Sequence, residues 1–188
     1  MKIRFALVLV TLCGCSTFQP VKDSAVRHLL EPLVPQRPLS ATSPAMAINR
    51  ASIPSYLDKQ QLVTRQDGVL VINDLDIWAE PLDSGISRVM ASNLSRLTRS
   101  MNIQPVERFI TLDYTNLLEV QITQFEPDAA NGMVLQGTWK LQPVSGAEAA
   151  NHFFRIIVPM TSATVMKDRV TAMNQALERL AREIAATL

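Results

Sequence analysis

The chain has 188 residues, and its 18 Lys and Arg nearly balance its 17 Asp and Glu, which gives a net charge of +1. A nucleic-acid-binding domain usually shows a clustered basic excess, so we expect no nucleic-acid partner. Behind the N-terminal stretch the chain is long enough for one domain with its own core, and no further apolar run is long enough for a transmembrane helix.

The N-terminus has three consecutive parts: a basic start, an uncharged and almost wholly apolar segment over residues 5–12, and the run Cys13-Gly14-Cys15. This order is typical of a bacterial lipoprotein signal peptide, and the apolar segment is too short to span a bilayer. Cleavage requires a small residue before the cut. Gly14 meets that requirement, so we expect Cys15 to become the first mature residue and to carry the lipid. The alternative is an ordinary cleaved signal followed by an incidental cysteine.

Lipidation at Cys15 divides the chain into a signal peptide (1–14), a lipidated tether (15–24) and a single domain (25–188). Two or three acyl chains, palmitate among them, would keep the protein on its membrane. Ser16 follows the lipidated cysteine where Asp would favour inner-membrane retention. We therefore expect an outer-membrane lipoprotein on the periplasmic face. Because Cys13 is removed and Cys15 is acylated, no thiol remains for a disulfide, a metal site or a nucleophile.

The first half of the domain is predicted to contain short strands and one long loop. Prolines at 32, 35, 38 and 44 make residues 31–44 an exposed loop, because proline lacks the backbone donor and disfavours helix before it. The predicted strands are 26–30, 45–51, 61–66 and 69–73, with a tight turn at Asp67-Gly68 between the last two.

The second half is predicted to hold two helices with three long strands between them. Apolar residues recur every three or four positions over 83–99, with Asp83 as the N-cap, and over 167–188. Arg169 is predicted to lie away from the apolar stripe of the second helix. The strands, joined by polar segments at 126–132 and 143–151, are 118–123, 133–141 and 152–158. These elements predict an α+β fold, a layered α/β sandwich whose mixed, largely antiparallel sheet is covered by two long amphipathic helices.

The sequence contains no assembled catalytic set. His28 and His152 lie in strand-like segments without a partner nucleophile, and no glycine-rich phosphate loop is present. Asp74 and Asp76 resemble part of a calcium loop but lack its glycine and its terminal glutamate, so we interpret the acidic stretch 73–83 as a surface loop. We expect no enzyme activity, no metal and no cofactor.

Several separated motifs resemble the ABC-type transport auxiliary lipoprotein family, whose best-known member is the PqiC lipoprotein of the paraquat-inducible Pqi system. The motifs are Ile53-Pro54-Ser55-Tyr56-Leu57-Asp58, Gln61-Leu62-Val63-Thr64-Arg65, Trp78-Ala79-Glu80-Pro81-Leu82 and Asn93-Leu94-Ser95-Arg96-Leu97. The residues that we single out, as structural or interaction residues, are Pro54, Tyr56, Leu57, Arg65, Trp78, Glu80, Pro81, Leu82 and Asn93. The resemblance covers nearly the whole mature chain, with one departure at residues 27–30, where Arg-His-Leu-Leu replaces the usual Tyr-Tyr-x-Leu.

The resemblance implies an auxiliary component of an MCE and ABC-type envelope lipid-transport system. Such a lipoprotein would dock the periplasm-spanning MCE-domain protein of a Pqi-type complex at the outer membrane and support membrane integrity. The resemblance also leaves room for a homo-oligomer. The alternatives are a periplasmic lipid-binding carrier lipoprotein, which would need an apolar cavity of several hundred cubic ångströms, and an envelope enzyme.

Overall fold

The fold is α+β, with eight strands in two sheets and two long helices in the part of the chain that the structure describes. Cys15, the predicted signal peptide and the predicted tether up to residue 23 lie outside the described residues. The computed structural model describes residues 24–40, 43–66, 68–106, 113–128, 132–162 and 165–188.

Along the described part of the chain, four strands precede the first helix, and four more lie between the first helix and the second. The elements are β1 (Val26–His28), β2 (Met46–Ile48), β3 (Gln61–Gln66), β4 (Val69–Trp78), α1 (Leu82–Thr98), β5 (Ile103–Pro105), β6 (Asn116–Asp128), β7 (Gly132–Pro143), β8 (Asn151–Val158) and α2 (Met166–Ala185).

The strands form two separate open sheets instead of the single predicted sheet. In the smaller sheet, of order β1-β4-β3, β3 and β4 form an antiparallel hairpin and β1 runs parallel to β4. In the larger sheet, of order β5-β2-β6-β7-β8, the last three strands form the predicted antiparallel meander. There β2 runs parallel to both of its neighbours, β5 and β6.

The core lies between the larger sheet and the two helices. Helix α2 contacts β7 and β8, α1 contacts β2 and β5, and the two helices contact each other. Both contribute one apolar face, as their three- and four-residue spacing predicts. The buried side chains of these faces include Ile86, Val89, Met90 and Leu94 from α1 and Met173, Leu177, Leu180 and Ile184 from α2. No helix in the described ranges has both the length and the apolar character needed to cross a membrane.

Helix α1 begins earlier than predicted, and Asp83 is not its N-cap. The Gly85 N–H donates to the Pro81 carbonyl at 3.0 Å, so the helical hydrogen bonding already starts there. Pro81 occupies the N-cap position, and no side chain caps the helix. The Asp83 carboxylate instead accepts from the neighbouring Ser84 N–H at 2.7 Å.

Two other predictions were wrong because they depended on non-local contacts. Residues 74–78 continue β4 and do not form a surface loop, because β1 pairs with residues 76–78. Arg169 is buried near the start of α2, and burial lowers the pKa of its guanidinium. The predicted second helix also ran to residue 188, but α2 ends at Ala185, and Leu188 beyond it is exposed.

Candidate functional site

Two of the family motifs meet at one buried carboxylate, that of Glu126. The Tyr56 hydroxyl donates to Glu126 Oε2 at 2.9 Å. The Arg65 guanidinium donates to Glu126 Oε1 from Nε at 3.1 Å, and its Nη2 lies 3.0 Å from the same oxygen. The Phe125 N–H donates to Oε2 at 2.9 Å. We call Tyr56, Arg65 and Glu126 the Glu126 cluster, and it joins β3 to β6 through side chains alone.

Local backbone geometry brings these three side chains together. The Leu57 N–H donates to the Pro54 carbonyl at 2.9 Å, which closes the turn that carries Tyr56. A β-bulge lies between Ile122 and Gln124 of β6. Because a bulge shifts the alternation of a strand, Phe125 joins the core while Glu126 points to the opposite face.

Burial and charge make the Glu126 cluster a fixed contact. The Glu126 side chain is 0% exposed, whereas that of Arg65 is 38% exposed. Burial, and then the hydrogen bond to Glu126, raise the pKa of Tyr56 to about 12, so its phenol is neutral at pH 7. The hydrogen bond to Glu126 also raises the pKa of Arg65. Both carboxylate oxygens have donors, as a buried charge requires, and the cluster is suited to joining segments.

Glu80 forms the second polar contact of the motif residues. Arg88 of α1 donates to Glu80 Oε1 from Nη2 at 2.6 Å and from Nε at 3.1 Å. The same Nη2 donates to the Leu30 carbonyl at 2.7 Å. The pair therefore connects the segment after β4, the first turns of α1 and the segment after β1. Both side chains are partly exposed, so the pair orients these segments more than it stabilises them.

Asn93 is fully buried on α1 and contacts the proline-rich segment. The Val34 N–H donates to Asn93 Oδ1 at 3.2 Å, and Arg96 Nη1 donates to the Val34 carbonyl at 2.7 Å. Asn93 Nδ2 has no partner among the described residues. Most side chains of residues 31–40 are exposed, as predicted, but their backbone is hydrogen-bonded along α1. These bonds attach the backbone of the segment to α1 at Val34.

The remaining motif residues are apolar contacts or turn residues. Leu57, Trp78 and Leu82 are buried in the main core. They line a void of about 10 Å³ together with Phe125 and other core side chains. This volume is about that of one water molecule, whereas ligand pockets measure about 300–1,000 Å³. Pro81 is exposed, so it acts through its carbonyl at the helix start and not through packing.

Both histidines have structural partners. His28 Nε2 lies 2.5 Å from Asp76 Oδ1, between β1 and β4. The His152 ring stacks on Trp139, with the ring centroids 4.1 Å apart. The described residues, Asp74 and Asp76 among them, contain no group of three His, Cys, Asp or Glu side chains arranged to bind a metal ion.

Comparison with known families decides where the chain belongs. The profile of the ABC-type transport auxiliary lipoprotein component matches residues 28–185. The chain belongs to this family. The family is one of membrane-anchored lipoproteins of the cell envelope that serve transport, and the resemblance seen in the motifs is thereby confirmed. No curated protein matches the chain.

Solved structures share the fold. A crystal structure of an uncharacterized protein aligns with a TM-score of 0.66 at 19% identity, over 85% of this chain and 99% of that one. A Xanthomonas campestris protein of the DUF330 family aligns with a TM-score of 0.57 at 21% identity, over 86% and 90%. A PelC dodecamer from Paraburkholderia phytofirmans aligns over 76% and 87% at 13% identity, and its TM-score of 0.41 is too low to support an argument. At these identities the likeness concerns the fold alone.

Sequence reasoning missed Glu126 and Arg88, the partners that give Tyr56, Arg65 and Glu80 their roles. Glu126 was assigned to a polar join between strands, but β6 continues to Asp128. A charged residue directly after the apolar Phe125 and before Pro127 was the only local signal, and it does not reveal burial.

Proposed function

We propose that this protein is an outer-membrane-anchored docking lipoprotein for the MCE-domain protein of a Pqi-type lipid-transport complex. It acts without catalysis and supports the integrity of the outer membrane. The observation that carries the proposal is the family match over residues 28–185, which assigns the chain to the auxiliary lipoproteins of ABC-type transport.

The motif side chains bond to partners within the domain, which favours a structural use of these residues over a catalytic one. Tyr56, Arg65 and Glu126 bond to one another, and Glu80 bonds to Arg88. A neutral phenol and a carboxylate with donors on both oxygens are poor candidates for a nucleophile or a general base. A carrier would need an apolar cavity of several hundred cubic ångströms, whereas the apolar void beside Trp78 measures about 10 Å³.

The proline-rich segment is the surface that we propose for the partner. Arg99 Nε donates to the Pro38 carbonyl at 3.4 Å, and the Ser40 N–H donates to the Arg99 carbonyl at 3.0 Å. With the bonds from Asn93 and Arg96, these contacts fix the backbone and leave Arg37 and Leu39 exposed. Between residues 36–39 and α1 lies an open cleft of about 620 Å³. A fixed backbone lowers the entropy lost on binding, which favours recognition.

A pair of matched substitutions tests this surface. Leu39 and Val144 are apolar side chains with 41% and 61% exposure. We expect Leu39→Asp to abolish capture of the MCE-domain protein by the detergent-extracted lipoprotein, while Val144→Asp captures it like the wild type. Equal capture by both variants would show that residues 31–44 are not part of the interface. Failure of the wild-type protein to capture it would contradict the docking function itself.

The anchor is tested separately at Cys15. We expect Cys15→Ala to leave an uncleaved precursor or to release the domain into the periplasmic fraction, as judged by fractionation and intact mass. A processed and acylated Cys15→Ala protein would show that another residue carries the lipid. Recovery of the acylated wild type with inner membranes on a density gradient would contradict the outer-membrane location that Ser16 suggests.

A further inference from the structure

The end of the β3–β4 hairpin exposes an unusual run of apolar residues. Val69, Leu70, Val71 and Ile72 have exposures of 63%, 39%, 38% and 47%, and Leu75 further along β4 is 58% exposed. We call residues 68–72 the hairpin tip. No charged residue occurs from Gly68 to Asn73. Exposed apolar patches of this kind mark contact sites for proteins or membranes.

In the hairpin tip, the β4 strand carries apolar side chains on both of its faces, while the β3 residues opposite Val69 and Leu70 are the polar Gln66 and Arg65. Successive side chains of a strand point to opposite faces, so Val69 and Val71 lie on one face and Leu70 and Ile72 on the other. A folded protein partner, including a second copy of this chain, would cover one face and leave the other in water. A bilayer surface surrounds an inserted tip and covers both faces at once.

The direction of β1 places the lipid anchor on the same side. β1 runs parallel to β4, and Val26 pairs with Asp76. The chain before Val26 therefore comes from the side of residues 69–75. From residue 15 to residue 24 a fully extended chain spans at most about 30 Å, at ~3.3–3.6 Å per residue. A lipid on Cys15 thus keeps the membrane within about 30 Å of residue 24, which lies on the side of the domain that carries the hairpin tip.

The tip is also fixed to the body of the domain. Arg65 pairs with Leu70 across the hairpin, and its side chain is bonded to Glu126 of the larger sheet. If the membrane fixes the orientation of the tip, this link fixes the orientation of the larger sheet as well.

We propose that the hairpin tip inserts into the headgroup boundary of the periplasmic leaflet, the leaflet that holds the lipid anchor, and so orients the docking domain on its membrane. The inference rests on the proposed anchor at Cys15. The edge of β4 at residues 69–75 has no neighbouring strand among the described residues. Open backbone edges are excluded from the hydrocarbon core, so the contact is shallow, at the boundary between headgroups and acyl chains.

Val144 provides a matched control at the other end of the molecule. Its N–H donates to the Thr115 carbonyl at 2.9 Å, next to the start of β6, whereas Glu126 and Arg65 meet near the end of that strand. Between residues 116 and 126 a strand rises about 33 Å. A probe at position 144 should therefore remain in water when the hairpin tip contacts the bilayer.

The test uses the full lipidated protein on vesicles of phosphatidylethanolamine and phosphatidylglycerol. A polarity-sensitive fluorophore is attached to Ile72→Cys or Val144→Cys, with the unsubstituted protein as the labelling blank. Flotation with the vesicles is measured first, and then quenching by lipids brominated on their acyl chains. We expect a blue shift and quenching at position 72, and neither at position 144.

Each other outcome overturns the inference in a distinguishable way. A floating protein whose position-72 probe stays in water contradicts insertion while the anchor stands. A blue shift without bromolipid quenching, increasing with protein concentration, means that a second copy covers the tip. Equal quenching at both positions means that the domain has no fixed orientation. A protein that does not float contradicts the anchor, and with it the orientation proposed here.

Discussion

The two long hairpins of this protein both carry apolar strand residues, but these residues have opposite environments. In β6–β7, the alternating Leu118, Val120 and Ile122 are at most 4% exposed, because the helices cover that face of the sheet. In β3–β4, the apolar residues of β4 from Val69 to Ile72 are at least 38% exposed. The difference teaches that apolar strand residues in this fold are buried only where a helix or sheet packs on them. The remaining ones are available for contacts outside the domain.

Trp78 lies at the buried end of strand β4, whose other end is exposed. Removal of its side chain should therefore weaken the packing of the β3–β4 hairpin on the main core. We expect Trp78→Ala to lower the free energy of unfolding by about 3–5 kcal/mol, because it leaves a cavity beside Leu82 and Phe125. Urea denaturation measures the loss. A variant that unfolds like the wild type but fails to bind the partner would instead make Trp78 a contact residue.

The contrast between the hairpins is measured directly with one substitution in each. We expect Ile122→Ala to cost about 2–5 kcal/mol, because this side chain is 2% exposed in the core. Ile72→Ala should change stability by no more than about 0.5 kcal/mol, as exposed positions do. Equal losses in thermal or urea unfolding would show that the hairpin tip packs against the domain in solution.

The Glu126 cluster joins the two regions, and its two charged members should respond unequally. Arg65→Met leaves a fully buried carboxylate without its cation, and we expect a loss of about 2–3 kcal/mol after allowing for the partial exposure of Arg65. Glu126→Gln should cost about 1–2 kcal/mol, because the freed guanidinium can turn toward water. A larger loss for Glu126→Gln than for Arg65→Met would contradict the assigned burial.

Tyr56 should make the smallest contribution, with a recognisable pH dependence. We expect Tyr56→Phe to cost about 1 kcal/mol at pH 7. The folded pKa of about 12 lies above the ordinary value of 10.0, so the unfolded chain loses this proton first. The contribution is complete below pH 10 and decreases as the pH rises toward 12. The melting temperatures of wild type and variant should therefore converge over that range, and a constant gap would show that Tyr56 titrates normally.

The elements that sequence reasoning predicted well are those with local causes. The alternation of Leu118, Val120 and Ile122 and the spacing of the helix residues depend on near neighbours only. Glu126 was missed because its burial depends on Arg65, which lies 61 positions away, and on a bulge that the sequence does not mark. The length of β4 was missed because it depends on β1, whose His28 bonds to Asp76 over 48 positions.

The motif residues also depend on contacts with distant parts of the chain. Tyr56, Arg65 and Glu80 were selected through the family resemblance, and no physical pattern in the sequence announces their partners. Asn93 was selected in the same way, although its place on the apolar face of α1 follows from the spacing of the helix residues. The separation into two sheets was not predictable, because strand pairing between distant segments leaves no local trace.

The central proposal is that the domain docks a transport partner and performs no reaction. The most direct test compares the wild-type lipoprotein with a variant in which His28 and His152, the two histidines, are both replaced by Ala. Membranes containing the MCE-domain protein are extracted in detergent, and capture of that protein is measured beside the barrier function of the outer membrane. The account predicts that the double variant, with its fold verified by circular dichroism, retains both. Loss of capture or barrier function in a folded double variant would contradict docking and point to an active site.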